Sequence, residues 1–311
     1  MNGERPLLVL VGPTASGKTA LALSLARHFA GEIVSCDSVA VYREFEIGTA
    51  KPGTAERAAA PHHMLDVASP EENFSAGEYA RQARQVIAGI SGRERLPVVV
   101  GGTGLYLRAL LHGLFSGPQR SEELRERLRA ASARRGAGYL HRVLRRLDRA
   151  SAERIHANDE SKIIRAIEVS LAARQPMSEA WAHGREPLRG YRTLWLGLNP
   201  PREQLYERIN RRAAAMFDAG LVEETRQLRE CYGKRAWALH SLGYRQAGQL
   251  LCGELSREQA IAAAQQGHRN YAKRQMTWFR REPAIPWLEG FGDDPDIERE
   301  AVSLTMRFLL G

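Results

Sequence analysis

The chain has 311 residues, 43% of them hydrophobic, which is enough to build one large core or two modest ones. A formal net charge of +9 favours a polyanionic partner, although a solvated Arg-rich surface would account for the same excess. Cys36, Cys231 and Cys252 are odd in number, widely spaced and show no C-x-x-C, so they suggest neither a disulfide framework nor a zinc site. Without an N-terminal secretory pattern or an apolar run approaching 18 residues, the protein is expected in the cytoplasm, with no membrane partner.

The first element is the most telling. A strand-like run, Leu7 to Val11, enters Gly12-Pro13-Thr14-Ala15-Ser16-Gly17-Lys18-Thr19, which fits G-x-x-x-x-G-K-[ST], and Ala20 to Phe29 supplies the helix that must follow. Glycines in such a loop turn backbone N–H groups inward as an anion nest, Lys18 adds a point charge, and Thr19 offers a hydroxyl to a magnesium ion. A chance glycine turn is the competing reading. The second strand, Glu32 to Cys36, runs into Asp37, a carboxylate at a strand tip that can accept a proton or reach a metal. An Asx turn that merely caps the strand would explain Asp37 as well. Ser38 stands beside it. His62 and His63 lack a second cluster at ligand spacing and read as structural or as local hydrogen bonders.

Ser75 and Glu78 form a capping box, with Phe74 and Tyr79 as its staple, so a helix is expected from Ser75 toward Ile90. The strand Leu96 to Val100 follows. It ends in Gly101-Gly102-Thr103-Gly104 rather than in the magnesium-binding Asp of a P-loop ATPase, so the loop holds phosphate without the usual hydrolytic equipment. Thr103 is placed to donate to the same ligand, and a plain tight turn is the alternative.

From about Gly117 the composition shifts. Arg120, Arg125, Arg127, Arg129, Arg134, Arg135, Arg142, Arg145, Arg146, Arg149 and Arg154 fall in helical pattern, and helix continues through Lys162 to Val169 before the polar stretch at 182–187. The strand Thr193 to Leu198 then rejoins the core. The expected fold is α/β: a P-loop NTPase-like parallel sheet with helices on both faces, formed by 1–116 and 192–311, with 117–191 as an inserted all-helical domain.

After Pro201 a helix carries Arg208 and Arg212 on one face, in the manner of phosphate clamps, with plain solvation an equal contender. A second capping box, Ser256 with Gln259, opens the next helix. Ala264, His268, Tyr271, Gln275 and Trp278 line one face of it, read as core rather than as a base-stacking platform. Arg269, Lys273 and Arg280 line another and are the better candidates for phosphate contact.

Taken together, Gly12 to Thr19, Glu32 to Ser38, Val41-Tyr42-Arg43, Ile47 to Pro52, Pro61-His62-His63, Val100 to Tyr106, Ile163 to Val169, Leu242-Gly243-Tyr244 and Tyr271 to Arg280 resemble, in order, the bacterial tRNA dimethylallyltransferase family. The resemblance spans most of the chain. It implies transfer of a dimethylallyl group from its diphosphate to N6 of adenosine 37 in the anticodon loop of tRNA, with Mg2+ as cofactor and a monomer as the working form. It makes Asp37 the general base. Thr14 and Thr103 would assist it, Thr14 near the bridging oxygen, while Gly12, Pro13, Thr14, Ala15, Ser16, Gly17, Lys18 and Thr19, with Arg208 and Arg212, would bind diphosphate. Asp37, Ser38, Val39, Ala40, Thr103, Arg125, Ser161, Lys162, Ile163, Ile164 and Arg165 would meet tRNA, joined by the Arg269 and Lys273 face. The family commonly shows D-S-x-Q where this chain has Asp37-Ser38-Val39-Ala40, and Gln-Arg where it has Ser161-Lys162. A nucleotide or small-molecule kinase shares the P-loop and the arginines and is the rival reading; a bare RNA-binding module is a second.

Overall fold

A computed structural model describes residues 4–114, 117–118, 121–182, 186–233, 236–282 and 285–311. Arg120 and residues 183–185 of the expected polar break lie outside the described residues. The chain divides into two compact units, 1–111 with 188–311, and 112–187.

The larger unit holds a parallel sheet of six strands: β1 Arg5–Val11, β2 Gly31–Cys36, β3 His62–His63, β4 Leu96–Gly101, β5 Tyr191–Leu198 and β6 Trp287–Leu288. Their order is β3-β2-β4-β1-β5-β6. Because β1 is central, both its faces are covered, and Leu7 through Val11 form an unbroken run without solvent exposure. The strand period sorts them. Leu7, Val9, Val11, Val34 and Val99 face one core, shared with the staple tyrosine Tyr79 and with Ile87 and Leu110. Leu8, Leu10, Ile33, Val98 and Leu196 face the other, against Leu21, Leu25 and Ile297.

The helices of this unit are α1 Lys18–His28, α2 Thr54–Ala59, α3 Ala76–Gly92 and α4 Gly104–His112 ahead of the helical unit, and α10 Arg202–Asp218, α11 Leu221–Tyr232, α12 Tyr244–Leu251, α13 Arg257–Phe279 and α14 Pro295–Leu310 after it. Ser75 caps α3 by accepting from the Glu78 N–H at 3.1 Å. The reciprocal half of that expected box does not form, because the Glu78 carboxylate accepts from Arg81 and Gln82 instead. At α13 both halves form: Ser256 Oγ accepts from Gln259 N–H, and the Ser256 N–H donates to Gln259 Oε1.

The smaller unit contains α5 Glu122–Arg135, α6 Tyr139–Leu147, α7 Arg149–Arg154, α8 Glu160–Ala173 and α9 Met177–Ala182. Leu140, Leu144, Ala152, Ile163, Ile164 and Ile167 are its core. The buried carboxylate of Asp148 accepts from the N–H and hydroxyl of both Ser151 and Ser178, which caps α7 and ties down the start of α9.

Register positions the site. Val11 pairs with Gly101, and Cys36 pairs with Gly101 on its other side, so the three chain segments leave the sheet abreast at its carboxyl edge. The next residues are Gly12, Asp37 and Gly102. Ligands of open parallel sheets bind at that edge.

Candidate active site

The phosphate loop connects β1 to α1. Ala15 (φ 64°) and Gly17 (φ 86°) take left-handed backbone, the alternation that turns successive N–H groups into a concavity. At Gly17 a side chain is excluded by space as well, since a Cβ would lie 2.7 Å from the Gly292 nitrogen. Lys18 Nζ donates to the carbonyls of Gly12 at 3.0 Å and Pro13 at 2.6 Å. Burial, then the Arg212 charge, pull its pKa from 10.5 to about 7 against the opposing pull of Asp37. Thr19 is exposed at the first turn of α1.

Asp37 is both a turn residue and a site residue. Its Oδ1 accepts from the N–H groups of Val39 at 2.8 Å and Ala40 at 3.1 Å, an Asx turn that fixes the carboxylate and leaves Oδ2 outside those bonds. Asp37, Thr14, Lys18, Thr19, Arg208 and Arg212 all line one cavity of about 610 Å3. Thr103 Oγ1 accepts from the Ser38 N–H at 3.1 Å, and the Thr103 N–H donates to the Cys36 carbonyl, so the β4 tip braces the Asp37 loop.

The two clamp arginines differ. Arg208 is paired with Asp293 at 2.7 Å and lies 3.7 Å over the Phe291 ring, so one carboxylate already occupies its fork. Arg212 is held by burial, which lowers its pKa, opposed by the Asp37 charge. A partly desolvated cation beside a phosphate loop gains from an incoming anion.

Several lining residues were not expected from sequence. Tyr271 and Gln275 come from the α13 face read as core, Thr49 to Pro52 from the loop after Asp37, and His62 from β3. Gln275 Oε1 accepts from the Thr14 N–H at 2.8 Å and Nε2 donates to the Gly102 carbonyl at 3.1 Å. A glutamine on an otherwise apolar stripe was the available signal. Burial raises the Tyr271 hydroxyl, the Asp37 charge adding to it while a bond to Thr103 pulls the other way. His62 Nδ1 bonds the Ala60 carbonyl and its Nε2 is buried without a partner, whereas His63 pairs with Glu32 at 2.7 Å. The first is therefore a cavity residue and only the second purely structural.

The expected tRNA contacts also separate. Ser161 and Lys162 are exposed on α8, with Lys162 paired to Asp159. Ile163 and Ile164 correct the expectation for side chains: each is 1% exposed because α8 buries that face in the core of its unit. Ala40 is likewise buried. Arg125 is 5% exposed with its guanidinium 3.6 Å from Glu168, so it organises its unit from within rather than from its surface. Arg165 reaches the same Glu168 at 2.8 Å and the Pro118 carbonyl at 3.0 Å. On α13, Arg269 bonds Asn210 and Gln266, while Lys273 is exposed.

The IPP transferase family matches residues 40–282. A tRNA dimethylallyltransferase of Koribacter versatilis is 64% identical over 96% of this chain and 97% of its own length. One from Solibacter usitatus is 55% identical over 98% and 99%. Among solved structures, the tRNA isopentenylpyrophosphate transferase of Bacillus halodurans superposes with a TM-score of 0.72 at 35% identity, covering 99% of this chain and 96% of that one. A eukaryotic dimethylallyltransferase acting on tRNA superposes with a TM-score of 0.83 at 25% identity, covering 98% and 79%.

Proposed function

The chain belongs to the IPP transferase family, and on that premise we propose that it transfers a dimethylallyl group from dimethylallyl diphosphate to N6 of adenosine 37 in the anticodon loop of tRNA, releasing diphosphate. The observation that carries this reading is the single cavity in which a phosphate loop, Arg212 and the strand-tip carboxylate of Asp37 meet.

In this reading Gly12 to Thr19 hold the diphosphate, with Lys18, Arg208 and Arg212 countering the charge that grows as the allylic C–O bond breaks. N6 of adenine is a weak nucleophile because its lone pair is delocalised. It must be held in line with the allylic carbon, and its proton must leave as the C–N bond forms. Asp37 takes that proton on Oδ2, and the electron pair of the broken bond departs on the diphosphate. Thr14, Thr103 and Ser38 shape the surroundings of the two reactants. The adenine is flipped out of its stack to enter.

Magnesium fits these residues as an ion carried in by the diphosphate. The Thr19 hydroxyl offers the protein oxygen such an ion takes, and no cluster of three or more acidic, histidine or cysteine side chains among the described residues would cage a resident metal. When bound, it would neutralise part of the diphosphate charge.

The 112–187 unit would grip tRNA through Ser161, Lys162, Arg165 and its arginine-rich helices, with Lys273 and Arg269 contributing from α13 and Arg125 supporting from inside. No helix among the described residues is long and apolar enough to cross a membrane. The reading places the protein with its tRNA in the cytoplasm, working as a monomer. A kinase reading shares the P-loop, but the most similar relatives named above transfer dimethylallyl groups. Incubating the protein with dimethylallyl diphosphate, magnesium and tRNA, then weighing the digested nucleosides, separates the two. Dimethylallyladenosine is expected; unmodified adenosine with ATP turnover on a small acceptor would replace this function by the kinase.

A further inference from the structure

One buried amide bridges the two loops that the reaction depends on. Gln275, on α13, is only 4% exposed. Its Oε1 accepts from Thr14 in the phosphate loop, and its Nε2 donates to Gly102 at the β4 tip, partners 261 and 173 positions away in sequence. From Gly102 the connection continues, because Thr103 accepts from the Ser38 N–H and Ser38 adjoins Asp37. The fit is tight. A Cβ at Gly102 would stand 1.9 Å from Gln275 Nε2, so the glycine is there to admit the amide. Only a side chain with one donor and one acceptor at this reach satisfies both backbone groups, and an amide is that side chain.

We propose that Gln275 is a positioning residue: it sets the distance between the diphosphate cradle and the Asp37 loop, and so the alignment of donor and base. This rests on the function proposed above. A glutamine that only filled the core would affect stability, whereas a strut between reacting groups affects turnover. Misplacement by about 1 Å costs on the order of a hundredfold in rate, so Gln275→Ala should lower kcat about 10- to 100-fold. Its affinity for tRNA should stay within about twofold, since Gln275 is buried and the exposed tRNA-facing side chains are unchanged.

The test is single-turnover kinetics with dimethylallyl diphosphate and tRNA on Gln275→Ala, Gln275→Glu, Gly102→Ala and the Gln275→Ala/Gly102→Ala pair, with calorimetry of inorganic diphosphate binding alongside. Gln275→Glu keeps the size and the acceptor for Thr14 but opposes an oxygen to the Gly102 carbonyl, so it reports even where Ala fails to fold. Gly102→Ala should slow turnover by expelling the amide. The double variant should be no slower than Gly102→Ala alone, because removing the amide relieves the clash. Rates within twofold of the native enzyme for Gln275→Glu, or losses that multiply in the double variant, would overturn the proposal. Should the native protein bind diphosphate but prenylate nothing, the function proposed above falls. Diphosphate affinity then still decides Gln275: a tenfold loss in Gln275→Glu upholds the strut, and an unchanged affinity removes it.

Discussion

Lys18 carries a prediction that reaches from burial to ligand binding. Its ammonium is desolvated, lies near Arg212, and has its pKa lowered from 10.5 to about 7. A bound diphosphate favours the charged form, so binding draws a proton onto Lys18 at pH values where the free protein holds it neutral. Relative to a variant whose cation cannot titrate, the native protein should take up additional proton on binding, by an amount that grows as pH rises through about 7, and this group should weaken diphosphate binding as pH rises further. The sign also holds for stability. Between about pH 7 and 10.5 the unfolded chain holds the additional proton, so this group makes the fold gain stability as pH rises. Titration calorimetry in buffers of different ionisation enthalpy measures the uptake directly. Lys18→Arg keeps its charge throughout and should remove the Lys18 share, leaving only the protons that diphosphate itself exchanges. Equal proton uptake by the native protein and Lys18→Arg at pH 8 would refute the reasoning.

Two other expectations concern supports away from the reacting groups. The hydroxyl of Tyr244 donates to Glu224 and accepts from the Gly48 N–H at 3.1 Å, while Glu224 accepts from the Ile47 N–H at 2.9 Å, so this pair pins the loop that follows Asp37. Tyr244→Phe leaves a part-buried N–H and part of a carboxylate unpaired. It should cost about 1–3 kcal/mol in chemical denaturation, and a variant as stable as the native protein would remove the clasp. Asp148 is held below the usual carboxylate range by its bonds to Ser151 and Ser178, which outweigh the opposing desolvation. Its contribution is present above the unfolded value near pH 4 and is lost as pH falls through the lower folded value. Acidification should therefore loosen the helical unit, followed by hydrogen exchange in α7 and α9, and Asp148→Asn should show less of that acid response.

What the chain reveals by itself follows the range of the interactions. The phosphate loop, its flanking strand and helix, and the carboxylate after β2 are local patterns, and each could be read from residues within a few positions of one another. The parallel sheet follows from unbroken apolar runs at β1 and β4. Gln275 was legible only as an oddity, because helical spacing says which residues share a face and not what that face meets 261 positions away. Ile163 and Ile164 illustrate the converse: a motif places them beside tRNA contacts, while the 3.6-residue period turns their side chains into the core. Lys51 was equally hidden. Its buried ammonium ties Asp66 at 2.5 Å to the Tyr42 carbonyl at 2.7 Å, a network built from turns that carry no periodic signal.

Asp37→Asn addresses the central claim most directly. The substituted side chain retains an oxygen for the Val39 and Ala40 N–H groups, so the turn survives and only the proton acceptor is lost. Single-turnover prenylation of saturating tRNA by this variant should fall about 10²- to 10⁴-fold while its tRNA affinity stays within about twofold. Turnover near the native rate, or a loss explained entirely by weaker tRNA binding, would contradict the assignment of Asp37 as the base.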